Sequence, residues 1–442
     1  VEYPVPEPYL PDDQTKTRLK WAALGIVPLV LLGAALWPHA KTAGPKATPT
    51  IHTTAPAHLP TQRADWRGAI DYPSMDNRIS AMMTDPSMEG LAVAVVENGR
   101  LSFVRGYGLT AAEHGEPVGA QTVFRWASLS KTVAGTLSAR LASDGVFSLS
   151  DPVDAFHTSL RLPGDAQRTL TVEQLLSQRT GLSKNAYDDR LEHGADPAAI
   201  RDALGALTAA CPPGTCHSYQ NVAYDTITEI IGARTGEAYG ASVARRLFSP
   251  LGMTGATIGM AGLVGADHWA RPHRNGKTLP LSEAYYRVPA AAGVNSTIVD
   301  LALWMQAQMG LRQDVLSGAV LEAVQQPRVN TARPYGRLSI GRELKNAGYG
   351  LGMRSFTYKG HRLVGHSGGV SGYRSTMIFD PATRTGIVML WNSDANLPFR
   401  FQGEFLDLAY DLPFTDWLEL KDVSSVAQSA GTNLDEQTVS LP

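Results

Sequence analysis

One serine in this chain is followed three residues on by a lysine: Ser128-Leu129-Ser130-Lys131. No other lysine has a serine at that spacing. Leu129, Val133, Leu137 and Leu141 recur at every fourth position and Gly145 follows as a stop, so the pair opens a predicted helix over 128–142. At a helix N-terminus the unpaired N–H groups and the positive end of the dipole suit an oxyanion. A residue three positions on returns to the same helix face. A desolvated lysine there loses its proton more easily and can activate the hydroxyl. The spacing by itself also fits a chance surface pair.

Two further groups carry chemistry. Tyr219-Gln220-Asn221 is the only Tyr-x-Asn in the chain. A tyrosine near a lysine can pass protons to a leaving group, and an asparagine amide can orient both the lysine and a substrate amide. A buried tyrosine and a helix-capping asparagine would explain the same residues without function. His366-Ser367-Gly368-Gly369 ends a predicted strand. A strand beside the nucleophile can pair with a peptide-like substrate, and its glycines permit close backbone approach. A glycine-rich turn with an exposed histidine is the plainer alternative.

The elements that must position these groups lie as strands at both ends of the globular region and helices in its middle. Residues 91–97 and 100–107 flank Asn98-Gly99, a two-residue hairpin signal. Residues 361–365, 372–379 and 386–391 read as further strands, with turns at Gly368-Gly369 and 380–385. Thr171 with Gln174 forms a capping box for a helix over 172–178, and further helices fit 221–233, 238–247 and 297–309. One antiparallel sheet assembled from distant segments, with helices packed on it, is the expected architecture.

Together the three groups resemble the Ser-x-x-Lys, Tyr-x-Asn and Lys-Thr-Gly signature of class C β-lactamases, serine DD-peptidases (penicillin-binding proteins) and family VIII-type esterases. The resemblance covers roughly residues 66–415 and extends to LTVEQLLSQRTGLS (170–183), LFSPLGMTGATIG (247–259) and STIVDLALWMQ (296–306). It implies a β-lactamase/transpeptidase-like α+β fold, an α/β and an all-α subdomain with the cleft between them. It also implies that Ser128 forms an acyl-enzyme, that Lys131 and Tyr219 handle its proton, and that Asn221 contacts the substrate amide. His366, Ser367 and Gly368 would bind substrate, and the backbone N–H groups of Ser128 and Gly369 would form the oxyanion hole. No metal or cofactor is implied. Two departures stand out: the chain has no Lys-Thr-Gly, so a partly charged His366 replaces a cationic lysine, and Ala291-Ala292-Gly293 stands where many relatives read Gly-Gly.

Competing motifs fail on context. Gly365-His366-Ser367-Gly368-Gly369 fits the α/β-hydrolase elbow, but no histidine follows position 366 and a hairpin, not a helix, comes next. A trypsin-like arrangement would demand an all-β chain. Ser183-Lys184-Asn185 mimics a Ser-x-Asn element yet falls in a predicted loop. Gly276-Lys277-Thr278 lacks the earlier glycine of a P-loop. Arg179, Arg234 and Arg384 each begin an Arg-Thr-Gly, without the flanks that His366 has.

The rest of the 442-residue sequence bounds the setting. A net charge of −2 with no basic run argues against a nucleic-acid partner. Residues 21–40 carry no Asp, Glu, Lys or Arg, and an apolar helix of about 20 residues spans a bilayer. Lys16, Arg18 and Lys20 precede it, so 1–20 is expected in the cytoplasm and 21–40 as a transmembrane anchor, with a cleaved signal peptide as the competing possibility. Residues 41–63 then form a linker, 64–420 the catalytic domain, and 421–442 a flexible tail. This organisation places the domain outside a bacterial inner membrane, in the periplasm or at the cell surface, where cell-wall peptide or β-lactam-like substrates lie. No protein partner is predicted. In that oxidising setting Cys211 and Cys216 are expected to pair as a disulfide, two independent thiols being the alternative. A carboxylesterase of the same fold and a membrane sensor that acylates without turnover remain the other functional classes.

Overall fold

The hairpin at the start of the globular region comprises β1, Gly90–Glu97, and β2, Arg100–Gly108. Asn98 and Gly99 between them both take positive φ, 53° and 80°, as a two-residue turn of matching twist requires. The structure is a computed structural model that describes residues 70–332, 335 and 338–420. The expected cytoplasmic segment, anchor, linker and tail (1–20, 21–40, 41–63 and 421–442) lie outside the described residues. Among the described residues no helix is long and apolar enough to cross a membrane.

The chain returns to the sheet as β3, Val329–Asn330, β4, Lys345–Tyr349, β5, Arg354–Tyr358, β6, His361–Val370, β7, Tyr373–Asp380, and β8, Thr385–Trp391. The eight strands run in the order β2-β1-β8-β7-β6-β5-β4-β3, antiparallel throughout. Register Val93↔Met389 joins the two ends of the domain.

Four helices contribute to the cores on either side of this sheet: α1, Tyr72–Met82, α2, Ser130–Ser143, α3, Ile298–Gln308, and α4, Leu397–Ala409. Alternate side chains of β1 serve different cores, as the two-residue period of a strand dictates. Leu91, Val93 and Val95 pack with Met75 and Ile79 of α1 and with Phe401 and Phe405 of α4. Ala92, Ala94 and Val96 share the other core with Val133 and Leu137 of α2 and Trp304 of α3. Both faces of this strand are covered, which is why it reads as an unbroken apolar run.

Three sequence-based expectations need correction. Gly368-Gly369 is not a turn: β6 runs on to Val370, with Gly368 opposite Ser375 and Gly369 opposite Arg374, and the reversal falls at Ser371-Gly372. A Cβ at Gly368 would collide with the Trp126 carbonyl, so its glycine serves close approach instead. The expected helix at 221–233 begins later, as a 3₁₀ turn at Tyr224–Thr226 leading into Ile227–Thr235. The helix at 238–247 is α-helical only over Tyr239–Val243 and continues as a π-helix over Ala244–Phe248.

Candidate active site

Ser128 sits in a 3₁₀ turn, Ala127–Leu129, that feeds directly into α2. Ala127 takes φ +50°, left-handed for a residue with a side chain, and such strain persists only where the surroundings impose it. They do so here. Ser130 Oγ donates to the Ala127 carbonyl at 2.7 Å and accepts from Val294 N–H at 3.0 Å. Ser375 Oγ of β7 donates to the Trp126 carbonyl at 2.6 Å. The serine is thereby fixed to the sheet and to the 294–296 segment at once.

Lys131 is completely buried. Its Nζ lies 2.6 Å from Asn221 Oδ1, 3.0 Å from the Ala291 carbonyl and 3.3 Å from Ser128 Oγ. The first two partners are oxygens that only accept, so they take two N–H groups. The third direction, toward Ser128, holds a proton when the amine is charged and a lone pair when it is not. That arrangement can remove a proton from Oγ and later return it. Ala291 thus contributes through its backbone carbonyl. On the far side, Asn221 Nδ2 donates to Asp188 Oδ2 at 2.6 Å.

Tyr219 is half-buried, its ring centroid 4.7 Å from Lys131 Nζ. The chain that presents it is tied down on both sides. Cys211 and Cys216 form a disulfide, Cα atoms 6.4 Å apart. The loop they close is held by Ala210 N–H on the Gly181 carbonyl, 2.8 Å, and Gly214 N–H on the Arg179 carbonyl, 2.7 Å. Ser218 N–H then donates to the Gln178 carbonyl at 2.8 Å and Gln220 N–H to Gln178 Oε1 at 2.7 Å.

His366 is buried, and its state differs from the partial charge expected. Its Nδ1 lies 2.6 Å from the Ser367 carbonyl, which can only accept, so Nδ1 carries the proton. Nε2 therefore accepts from the Tyr349 hydroxyl at 3.0 Å. Burial, with Arg354 and Lys131 adding to it, holds its pKa well below 6.5, and the ring is neutral. In that state it carries no positive charge. Three cationic side chains line the site's cavity, Lys184, Arg354 and Arg374; Arg374 pairs with Asp394, whereas the guanidinium of Arg354, on β5, has no carboxylate within ion-pair distance among the described residues. His217, its ring centroid 5.3 Å from that of Tyr349 and tilted by 45°, is also pushed down, to about 4, by burial, Arg354 and Lys184.

A cavity of about 900 Å³ gathers these groups, as befits a small-molecule site. Ser128, Tyr219, Asn221, His366, Ser367, Gly368 and Gly369 all line it, and Lys131 lies behind Ser128. Beyond Gly365 the strand β6 is paired, among the described residues, only with β7, which leaves His366–Val370 an edge toward the cavity. Sequence reasoning missed Asp188, Tyr285, Tyr349 and Arg354, and it gave Ala291 no role. None stands at a diagnostic spacing from the motif residues; only the fold brings them near. Of the competing motifs, Lys184 and Asn185 also line the cavity, and Asn185 N–H bonds the Tyr219 carbonyl at 2.8 Å. Gly276 forms a hairpin turn, and Arg179 pairs with Glu173.

The sheet order together with the Ser128–Lys131 pair defines the β-lactamase/transpeptidase-like class, a fold of serine hydrolases. The Beta-lactamase family model matches residues 75–411, and the chain belongs to that family. It is similar to the unguisins hydrolase ungD of Aspergillus violaceofuscus, 26% identical over 330 residues that cover 69% of this chain and 58% of the relative. The chain spans about three fifths of the length of such curated relatives. Among solved structures it resembles the octameric penicillin-binding protein homologue from Pyrococcus abyssi, with TM-score 0.68, 22% identity and 78% of each chain covered. It also resembles the D-alanine carboxypeptidase AmpC from Burkholderia cenocepacia, with TM-score 0.59, 22% identity, and 77% and 97% covered.

Proposed function

We propose that this chain hydrolyses D-amino-acid-ended peptides or β-lactams through an acyl-enzyme on Ser128. The observation that carries the proposal is the position of Lys131 Nζ, held by two fixed acceptors with its third direction on Ser128 Oγ. Lys131 takes the hydroxyl proton as Oγ bonds to the substrate carbonyl carbon. The oxyanion that develops is met by the Ser128 and Gly369 N–H groups. Collapse breaks the carbon–nitrogen bond, and the departing amine receives the proton by way of Tyr219. Water then attacks the ester, giving one proton back to Ser128 Oγ through the same pair. Every proton and bond is accounted for by side chains, backbone and water. This edge of β6 suits a peptide backbone, with Asn221, Ser367 and Gly368 beside it, and Arg354 suits a terminal carboxylate. The carboxypeptidase and penicillin-binding homologue among the structural neighbours support this substrate class. The apolar stretch at 21–40 supports a bacterial membrane-anchored, exported protein, with the domain beside the cell wall.

The test is mass spectrometry of the detergent-solubilised full chain after mixing with a penicillin or a D-Ala-D-Ala peptide. The expected result is an acyl adduct on Ser128, transient or lasting, that Ser128→Ala abolishes. An adduct on another residue, or turnover unaffected by Ser128→Ala, overturns the proposal.

A further inference from the structure

The Asn221 amide has two ends, and only one arrangement serves Lys131: Oδ1 toward the amine and Nδ2 away. A half-turn about the last side-chain bond exchanges the two with almost no change of shape. The neighbour that decides is Asp188. Its Oδ2 takes Asn221 Nδ2 at 2.6 Å, and because a carboxylate only accepts, a flipped amide would set oxygen against oxygen. The competing donor is drawn elsewhere: the single proton of the Tyr285 hydroxyl goes to Glu192 at 2.7 Å rather than to Asp188 at 3.4 Å. The backbone fixes the approach. Asp188 N–H bonds the Asn185 carbonyl at 3.1 Å, and Asn185 N–H bonds the Tyr219 carbonyl at 2.8 Å, so the segment bearing Asp188 is laced to the one bearing Asn221.

Asp188 is also a poor choice for stability alone. It is only 7% exposed, and its Oδ1 has no hydrogen-bond partner among the described residues. Burial raises its pKa, against the opposing pull of Asn221 and Lys131, so its charge disfavours the folded state. A neutral residue would fold at least as well.

We propose that Asp188 is a positioning residue for hydrolysis, which locks the Asn221 amide with Oδ1 on Lys131 and thereby holds the amine against Ser128. The assignment rests on the roles of Ser128 and Lys131 proposed above. It is tested by a double-mutant cycle on the rate of Ser128 acylation by a penicillin, with p-nitrophenyl acetate as a second acyl donor and melting temperature measured alongside. Asp188→Ala slows acylation on the order of 10- to 100-fold, as a displaced catalytic group does, while the melting temperature holds or rises. Asp188→Asn, which keeps an acceptor, recovers most of the rate and carries the cycle if the alanine variant does not fold. In an Asn221→Ala background the same change at Asp188 has no further effect, because it acts only through that amide. Effects that multiply, a wild-type rate in Asp188→Ala, or a rate that falls only in step with melting temperature would each overturn the assignment. Wild type and Ser128→Ala are compared first. If they acylate alike, the proposed function fails and this role falls with it; if only wild type reacts and the cycle is additive, the role of Asp188 alone fails.

Discussion

Lys131 Nζ stands 2.6 Å from Asn221 Oδ1 but 3.3 Å from Ser128 Oγ, so its shortest bond is to the group that holds it and not to the hydroxyl it would deprotonate. Replacing the amine while keeping the stem separates these two relationships. Lys131→Met is expected to slow acylation of Ser128 by roughly 10²- to 10⁴-fold, the usual worth of a positioned proton acceptor. Since it leaves the buried Asn221 Oδ1 and Ala291 carbonyl without their donor, the melting temperature should fall, with a stability loss of roughly 1–3 kcal/mol, that of an unsatisfied buried acceptor. Stopped-flow acylation beside calorimetry checks both; undiminished acylation would falsify the mechanism.

Gly135 lies one turn beyond Lys131 on α2, and a Cβ there would collide with the Leu351 carbonyl. Gly135→Ala should therefore push α2 away from the 350–352 segment, with a loss of roughly 1–3 kcal/mol typical of overpacking. Gly119→Ala, with nothing within 4 Å of the new Cβ, serves as the neutral control. Urea unfolding of the two variants decides: equal midpoints would show that the contact yields easily.

The pH dependence of stability should carry a signature of His217. Its pKa falls from the ordinary 6.5 to about 4 on folding, so the unfolded chain binds the proton more readily. Stability must then rise with pH between about 4 and 6.5 and be lost as pH falls through that window. His217→Gln removes this contribution. On acidification from pH 6.5 to pH 4 the wild-type denaturation midpoint should fall relative to that of the variant, and a constant difference would contradict the shift.

Arg354 offers a test of substrate class. If it meets a terminal carboxylate, Arg354→Met should lower kcat/KM for a carboxylate-ended peptide by roughly 10- to 100-fold, the worth of a charged hydrogen bond. Hydrolysis of a neutral aryl ester should be nearly unchanged. Equal losses on both substrates would mean that the guanidinium serves the scaffold.

The disulfide closes a short loop, for which chain entropy predicts about 2 kcal/mol. Paired Cys211→Ser and Cys216→Ser changes should lower the melting temperature accordingly. Acylation should slow as well, because the next residues lead straight to Tyr219. Calorimetry with and without reductant tests the first effect, and a melting curve indifferent to reductant would count against it.

The features legible in the chain alone were those written in local patterns. The four-residue apolar repeat placed α2 behind Ser128, and Thr171 with Gln174 announced the capping box that both reciprocal bonds complete, at 3.0 and 3.1 Å. Asn98-Gly99 marked the hairpin. Each depends on residues within a few positions of one another, where backbone geometry leaves little choice. Gly368-Gly369 misled the same reasoning because a glycine pair signals a turn locally, whereas here Gly368 answers the Trp126 carbonyl more than 200 residues away in sequence.

The charge and company of the site were settled by the folded arrangement instead. The neutrality of His366 comes from burial beside Arg354 and Lys131. The acceptors that hold Lys131 arrive from Asn221 and Ala291, and the carboxylate behind them from Asp188. Desolvation and hydrogen bonding act through space, so no spacing along the chain records them.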